Sequence, residues 1–127
     1  MASWKQVTRS FETIKRELGA PEIELITPSE FKERTGASLG YFLGRANLDG
    51  DKLITVKRNR PLGKIKNTLY HECLHILFRS RPHWWIECAA EKLSGAGVRG
   101  KYSSRYGHSP ADLPSRVKLL QMIRGKA

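Results

Sequence analysis

The sequence predicts an α+β fold in a single domain, and three features carry that prediction. Apolar residues recur at helical spacing near the N-terminus and again over residues 64–93. Between those stretches, strand-like runs flank an Asp49-Gly50 pair, a strong turn signal. The chain has 127 residues, a length that fits one domain spanning 1–127.

The N-terminal helix comes first. Val7, Phe11, Ile14 and Leu18 share one helical face, and Trp4 extends it by a turn. Ser3 is a candidate N-cap, Gly19 a candidate stop, and Pro21 lies just beyond, which predicts a helix over residues 3–18. Ile23 to Thr27 reads as a short strand closed by Pro28, and Ser29 can cap a short helix that Gly36 ends. Ser38 to Arg58 reads as a β-hairpin. A two-residue turn at Asp49-Gly50 sets Leu48 opposite Asp51 and Leu43 opposite Val56. Its first strand, Tyr41 to Ala46, is interrupted by Gly44, which suggests either a bulge or an edge along which an extended peptide could pair.

Asn59 to Gly63 is then a loop into a helix from Lys64 to Phe78, carrying Ile65, Leu69, Ile76 and Leu77. Pro82 cannot continue that helix and disfavours helical geometry at Arg81, so the chain turns within Arg79–Pro82. Trp84 to Leu93 reads as a second helix, and Ala89 and Ala90 are small enough for close approach. Ser94 to Gly107 is rich in glycine, serine and basic residues and reads as a long loop. His108 to Asp112 leads into a last helix, with Asp112 as candidate cap and Val117, Leu120 and Ile123 as its apolar stripe.

Composition narrows the class. No apolar run approaches membrane-spanning length, so no membrane partner is expected. The first ten residues lack the apolar core of a secretory signal, which favours an intracellular, cytoplasmic setting. Two cysteines, Cys73 and Cys88, do not make a disulfide framework and read as buried thiols. The net charge of +11 suits salt-sensitive contacts with nucleic-acid phosphates or an acidic partner, although no zinc-finger or RRM signature accompanies it.

The candidate chemistry lies in His71-Glu72-x-x-His75. On a helix, residues four apart sit on one face a turn apart, so His71 and His75 can aim at one metal ion. Glu72 lies beside them, placed to act on metal-activated water without being a ligand. A catalytic zinc site needs a third protein ligand and one open position. The candidates downstream are His83, Glu87, Glu91, His108 and Asp112.

The pattern of His71-Glu72-x-x-His75, then Trp85-x-Glu87 and Ala90-Glu91 on a following helix, resembles the gluzincin metallopeptidases. The short chain is similar to their minimal members, the minigluzincins. The specific resemblance covers residues 62–94. It implies a minimal zincin-like domain with an N-terminal helix, a small mostly antiparallel sheet, an active-site helix, a glutamate helix and a C-terminal helix. It implies that His71, His75 and Glu87 bind Zn2+, that Glu72 is general base and acid, and that Glu91 supports a ligand. Peptide or protein chains would be the substrates, cleaved by an endopeptidase mechanism. It also implies latency, with residues 95–127 as a segment that could close the cleft. Tyr102, Arg105, Tyr106 and His108 are candidate oxyanion stabilisers there.

Two alternatives stay open. The metzincin pattern is excluded, since it needs a glycine where this chain has Phe78 and a histidine where it has Arg81. A Spartan-type, DNA-associated metallopeptidase would instead use a histidine as third ligand, which His83 or His108 could supply. A non-catalytic, basic, nucleic-acid-binding module would close a structural zinc with a fourth ligand from Cys88, His83 or His108.

Overall fold

The computed structural model describes residues 2–97 and 107–126. It is a small α+β domain: α1 (Trp4–Leu18), β1 (Glu24–Leu25), α2 (Pro28–Thr35), β2 (Gly44–Ala46), β3 (Leu53–Val56), α3 (Leu62–Leu77), α4 (His83–Ser94) and α5 (Arg116–Lys126). A short 3-10 turn at Pro110–Asp112 precedes α5. No helix among the described residues is long and apolar enough to cross a membrane.

Helix α1 forms as its residues dictate. The Ser3 hydroxyl accepts from the Gln6 N–H, and the Gln6 side chain accepts from the Ser3 N–H at 2.8 Å. This reciprocal pair satisfies two amides that a helix start leaves open. Gly19 ends the helix at φ 64°, a conformation that a residue with a side chain rarely adopts. Val7, Phe11, Ile14 and Leu18 are all buried.

Helix α2 begins a residue or two earlier than the sequence suggests. Thr27, not Ser29, is its cap: the Thr27 hydroxyl accepts from the Glu30 N–H at 3.2 Å. Pro28 then takes the first helical position, where its missing N–H costs nothing.

The sheet has three strands in the order β1-β3-β2. Strand β1 runs parallel to β3, and β2 runs antiparallel to it. All four residues of the central β3 are buried, as expected of a strand covered on both faces. The hairpin register differs by one residue from the sequence expectation: Gly44, not Leu43, stands opposite Val56, and Arg45 stands opposite Thr55. The turn is wider than two residues. The Asn47 side-chain amide donates to the carbonyls of Asp49 and Asp51, and Gly50 sits at φ 90°. One residue of slip turns every side chain to the other face. Here it sets the glycine, not a leucine, against α3.

Helices α3 and α4 pack along each other, with Cys88, Ala89 and Ala90 fully buried between neighbouring elements. Cys73 and Cys88 are both fully buried. Helix α3 also packs on α1 and on strands β2 and β3, so it is the axis of the core.

Helix α5 is capped by Ser115, whose hydroxyl accepts from the Lys118 N–H at 3.3 Å. Asp112 instead closes the 3-10 turn by accepting from the Ser109 N–H. The buried face of α5 is Leu119, Leu120 and Ile123, while Val117 is 66% exposed, so the apolar stripe is rotated from the expected one. A charged knot fixes α5 in place. Arg116 donates to Glu17 at 2.8 Å and to the Tyr70 hydroxyl at 3.3 Å, Tyr70 donates to Glu17, and Arg124 donates to the Glu17 carbonyl. Burial, and then the bond to Glu17, push the Tyr70 phenol above its ordinary range. The knot joins α1, α3 and α5 immediately before His71.

Candidate metal centre

Helix α3 carries His71, Glu72 and His75 in the half nearest its C-terminus. The rings of His71 and His75 lie a turn apart, with their Nε2 atoms 3.0 Å from each other. Helix α4 opens directly after Pro82, and its first residue, His83, turns its ring to the same point. The ring centroids of His83 lie 5.0 Å from His71 and 5.3 Å from His75. One nitrogen from each of the three histidines falls within 4.8 Å of the others. Donors 2.0–2.1 Å from a tetrahedral zinc stand about 3.3 Å apart. Small ring rotations therefore bring the trio to that spacing, and the residues present fit the ion.

The electrostatics agree with that fit. Burial, then the neighbouring charges of His75 and His83, push His71 down to about 3. Burial and His83 push His75 down to about 4. Both imidazoles are thus neutral near pH 7, the form that binds a metal.

Glu72 is 8% exposed and lies under strand β2, against Gly44. Burial pushes its carboxyl up to about 8, against a smaller opposing pull from Arg45. A buried carboxyl so far from its ordinary range is a feature of functional sites, and a bound cation nearby reverses the shift. Cys73, on the next position, is fully buried and its thiol is pushed up by burial, so it is inert as a ligand.

Gly44 is what makes room for Glu72. A Cβ at this position would stand 2.6 Å from Thr68 Cγ2, 3.0 Å from Glu72 Cγ and 3.1 Å from Glu72 Oε2. The strand is held this close by Arg60, which donates to the Leu43 carbonyl at 3.3 Å and to the Thr68 hydroxyl at 2.9 Å. Burial pushes the Arg60 guanidinium below its usual value, though not enough to discharge it. Gly44→Ala is expected to destabilise the fold by about 1–3 kcal/mol, as overpacking does. Urea denaturation reads this, and an unchanged midpoint would refute the close approach.

The expected site residues fall into four sets. His71, Glu72 and His75 come together with His83. Glu87 stands beside that trio, a turn after His83, with an Oε1 3.9 Å from His83 Nε2 and a side chain that is 10% exposed. Glu91 lies one turn further along α4, half-buried. His108 is turned to other work: its ring stacks on Trp84 at 3.8 Å and its Nδ1 lies 3.8 Å from Asp112. Tyr102, Arg105 and Tyr106 lie outside the described residues.

The site is thus a three-histidine, one-carboxylate centre on two packed helices of a small α+β domain. Searches against protein-family profiles, curated proteins and solved structures return no match for this chain. Its chemistry is read from its own side chains.

Proposed function

We propose that the chain is a zinc-dependent endopeptidase in which His71, His75 and His83 hold the ion and Glu72 handles the proton. The observation that supports this best is the convergence of a third imidazole, from the start of α4, on the His-Glu-x-x-His face of α3. Three imidazole donors, with a fourth position left for water, suit catalytic rather than structural zinc. Bound zinc would supply Lewis acidity, lowering the pKa of water and polarising a peptide carbonyl.

The chain's own residues do the rest. Glu72 takes a proton from the attacking water and returns it to the leaving amine. Its place under Gly44 keeps the carboxylate largely out of bulk solvent. Glu87, close to His83, would accept from the ring and hold its orientation, the role of a carboxylate behind a ligand histidine. The gluzincin assignment, with Glu87 as the third ligand, is the second reading, favoured by the short distance from Glu87 to the trio. The edge of β2, unpaired among the described residues, would bind substrate backbone by strand addition.

Latency needs a segment that can leave the cleft. A regulatory role for residues 95–127 is part of this proposal, and within them Leu119, Leu120 and Ile123 of α5 are buried. Asn67 and Lys64 donate to the carbonyls of Ala96 and Gly97, and Lys92 donates to those of Pro110 and Leu113.

Elemental analysis of chain purified without chelator should find one zinc per chain. Hydrolysis of an unfolded protein such as reduced, alkylated casein should stop with chelator and return with zinc. No zinc after reconstitution would end this reading.

A further inference from the structure

A cleft of about 590 Å³ opens between the start of α1, the start of α2 and the turn after β3. It shares no residue with the metal centre, so a ligand there is independent of the peptidase reading. Its volume falls within the roughly 300–1,000 Å³ of small-molecule sites.

The walls divide by chemistry. Trp4, Pro28 and Leu39 form an apolar side, and the half-buried Trp4 also packs on the main core. Lys57, Arg58 and Asn59, all exposed, form a polar side, and Thr27 completes the lining. Among the described residues, no carboxylate lines the cleft.

Arg60 builds the polar side. Strand β3 ends at Val56, and the Lys57 N–H still donates to the Leu43 carbonyl at 2.8 Å. The chain then curls over Arg60. The Arg60 N–H donates to the Arg58 carbonyl at 2.7 Å, and its Nε donates to the Lys57 carbonyl at 3.3 Å. Backbone polar groups are satisfied in this way, while the side chains of Lys57 and Arg58 make no hydrogen bond or ion pair among the described residues. Other cations are neutralised: Arg34, Lys52, Arg79 and Arg116 each pair with a carboxylate. On the apolar side, Leu39 is held by a turn in which the Phe42 N–H donates to its carbonyl at 3.0 Å and Gly40 sits at φ 56°.

Two unneutralised cations call for an anion. Phosphate suits them, since an arginine presents paired N–H donors to its oxygens and a lysine adds a point charge. An anion alone would leave the apolar side unused. An indole favours a planar aromatic ring, and the Asn59 amide can both donate to and accept from such a ring's edge. We propose that the cleft binds a nucleoside phosphate, with the base against Trp4 and Leu39 and the phosphates on Lys57 and Arg58. Charge complementarity selects this occupant over a neutral or cationic one.

Isothermal titration calorimetry on the full chain tests this. ATP should bind at least about tenfold more tightly than adenosine or tripolyphosphate alone, because each of these uses one side of the cleft. Lys57→Ser/Arg58→Ser, at exposed positions, should weaken ATP binding by at least about tenfold and leave the thermal transition unchanged. Trp4→Phe keeps an aromatic side chain against the core and removes the indole. ATP should quench the tryptophan fluorescence of the wild type, and Trp4→Phe should abolish that quench. Because Trp84 and Trp85 remain in this variant, a persisting quench would place the nucleotide against α4 and overturn the proposal. Absence of ATP binding, tripolyphosphate bound as tightly as ATP, or unchanged binding by the double variant would overturn it equally. A free nucleotide and a nucleic-acid chain carry the same chemistry, and a short oligoadenylate separates these sources. Binding at least about tenfold tighter than that of ATP, and lost in the double variant, would assign the site to a chain; equal or weaker binding would assign it to the free nucleotide.

Discussion

Glu72→Gln is expected to lower the rate of peptide hydrolysis by about 10²–10⁴-fold, the usual worth of a positioned general base. The substitution keeps shape and volume. The amide fits the same space beneath Gly44, where the nearest approach is already tight, so the fold has no reason to change. What is lost is an atom able to accept a proton from water. Zinc content should stay at the wild-type level, because Glu72 contributes no atom to the cluster of His71, His75 and His83. Stability should not fall either. A buried carboxyl pushed up to about 8 is costly to keep ionised, and the neutral amide avoids that cost. Single-turnover hydrolysis, elemental analysis and thermal unfolding on one preparation read all three quantities. Loss of zinc with Glu72→Gln would contradict its assignment as base, and retained turnover would place the proton acceptor elsewhere.

His83→Ala should weaken zinc binding by more than the roughly 10–100-fold that loss of a merely supporting partner costs. His71 and His75 would remain, but two nitrogens do not hold a catalytic zinc. Glu87→Ala should cost less, within that range of about 10–100-fold, if its carboxylate, 3.9 Å from the His83 ring, acts through that ring as proposed. Competition with a chromogenic chelator gives both affinities. The pair of variants is decisive in either direction. A larger loss in Glu87→Ala than in His83→Ala would make the glutamate the third ligand and favour the gluzincin assignment. The His83 side chain is half-exposed, whereas that of Glu87 is 10% exposed, so thermal unfolding of Glu87→Ala accompanies its affinity measurement.

Sequence speaks most clearly where structure is local. The limits of α1 follow from Ser3, Gln6 and Gly19 alone, because a cap and a stop act within a turn of themselves. The pairing of His71 with His75 follows from the helical repeat. Cap choice is less legible where two candidates compete: Thr27 and Ser29 both can cap, and Pro28 decides between them by taking the first helical position. The hairpin register departs from expectation because Asp49-Gly50 signals a turn but not its width. Asn47 widens it through two side-chain hydrogen bonds, and nothing in a dipeptide reports that.

The choice of a candidate third ligand shows the limit of spacing as a guide. Glu87 and His83 lie one turn apart on α4, and either could face α3 depending on how the helices meet. Their relative position depends on Ala89, Ala90 and Cys88, which let α4 settle against α3 at a depth that sequence does not state. His83 has a signal of its own, standing immediately after Pro82 and so at the first position free to begin a helix. Gly44 has one too, since a glycine within a strand marks a close backbone approach as readily as a bulge.

The α+β class, the helix ends with unambiguous caps, the metal-directed face of α3 and the carboxylate beside it can all be read from the order of residues. Each depends on contacts within a few positions, where chain geometry leaves little choice. The α4 side chain that completes the histidine cluster, the roof that Gly44 makes over Glu72, the stacking of His108 on Trp84 and the outward backbone groups of β2 emerge only in three dimensions. Those depend on how separately formed elements pack, and packing is settled by the sum of many small contacts across the whole core rather than by any residue's own preference.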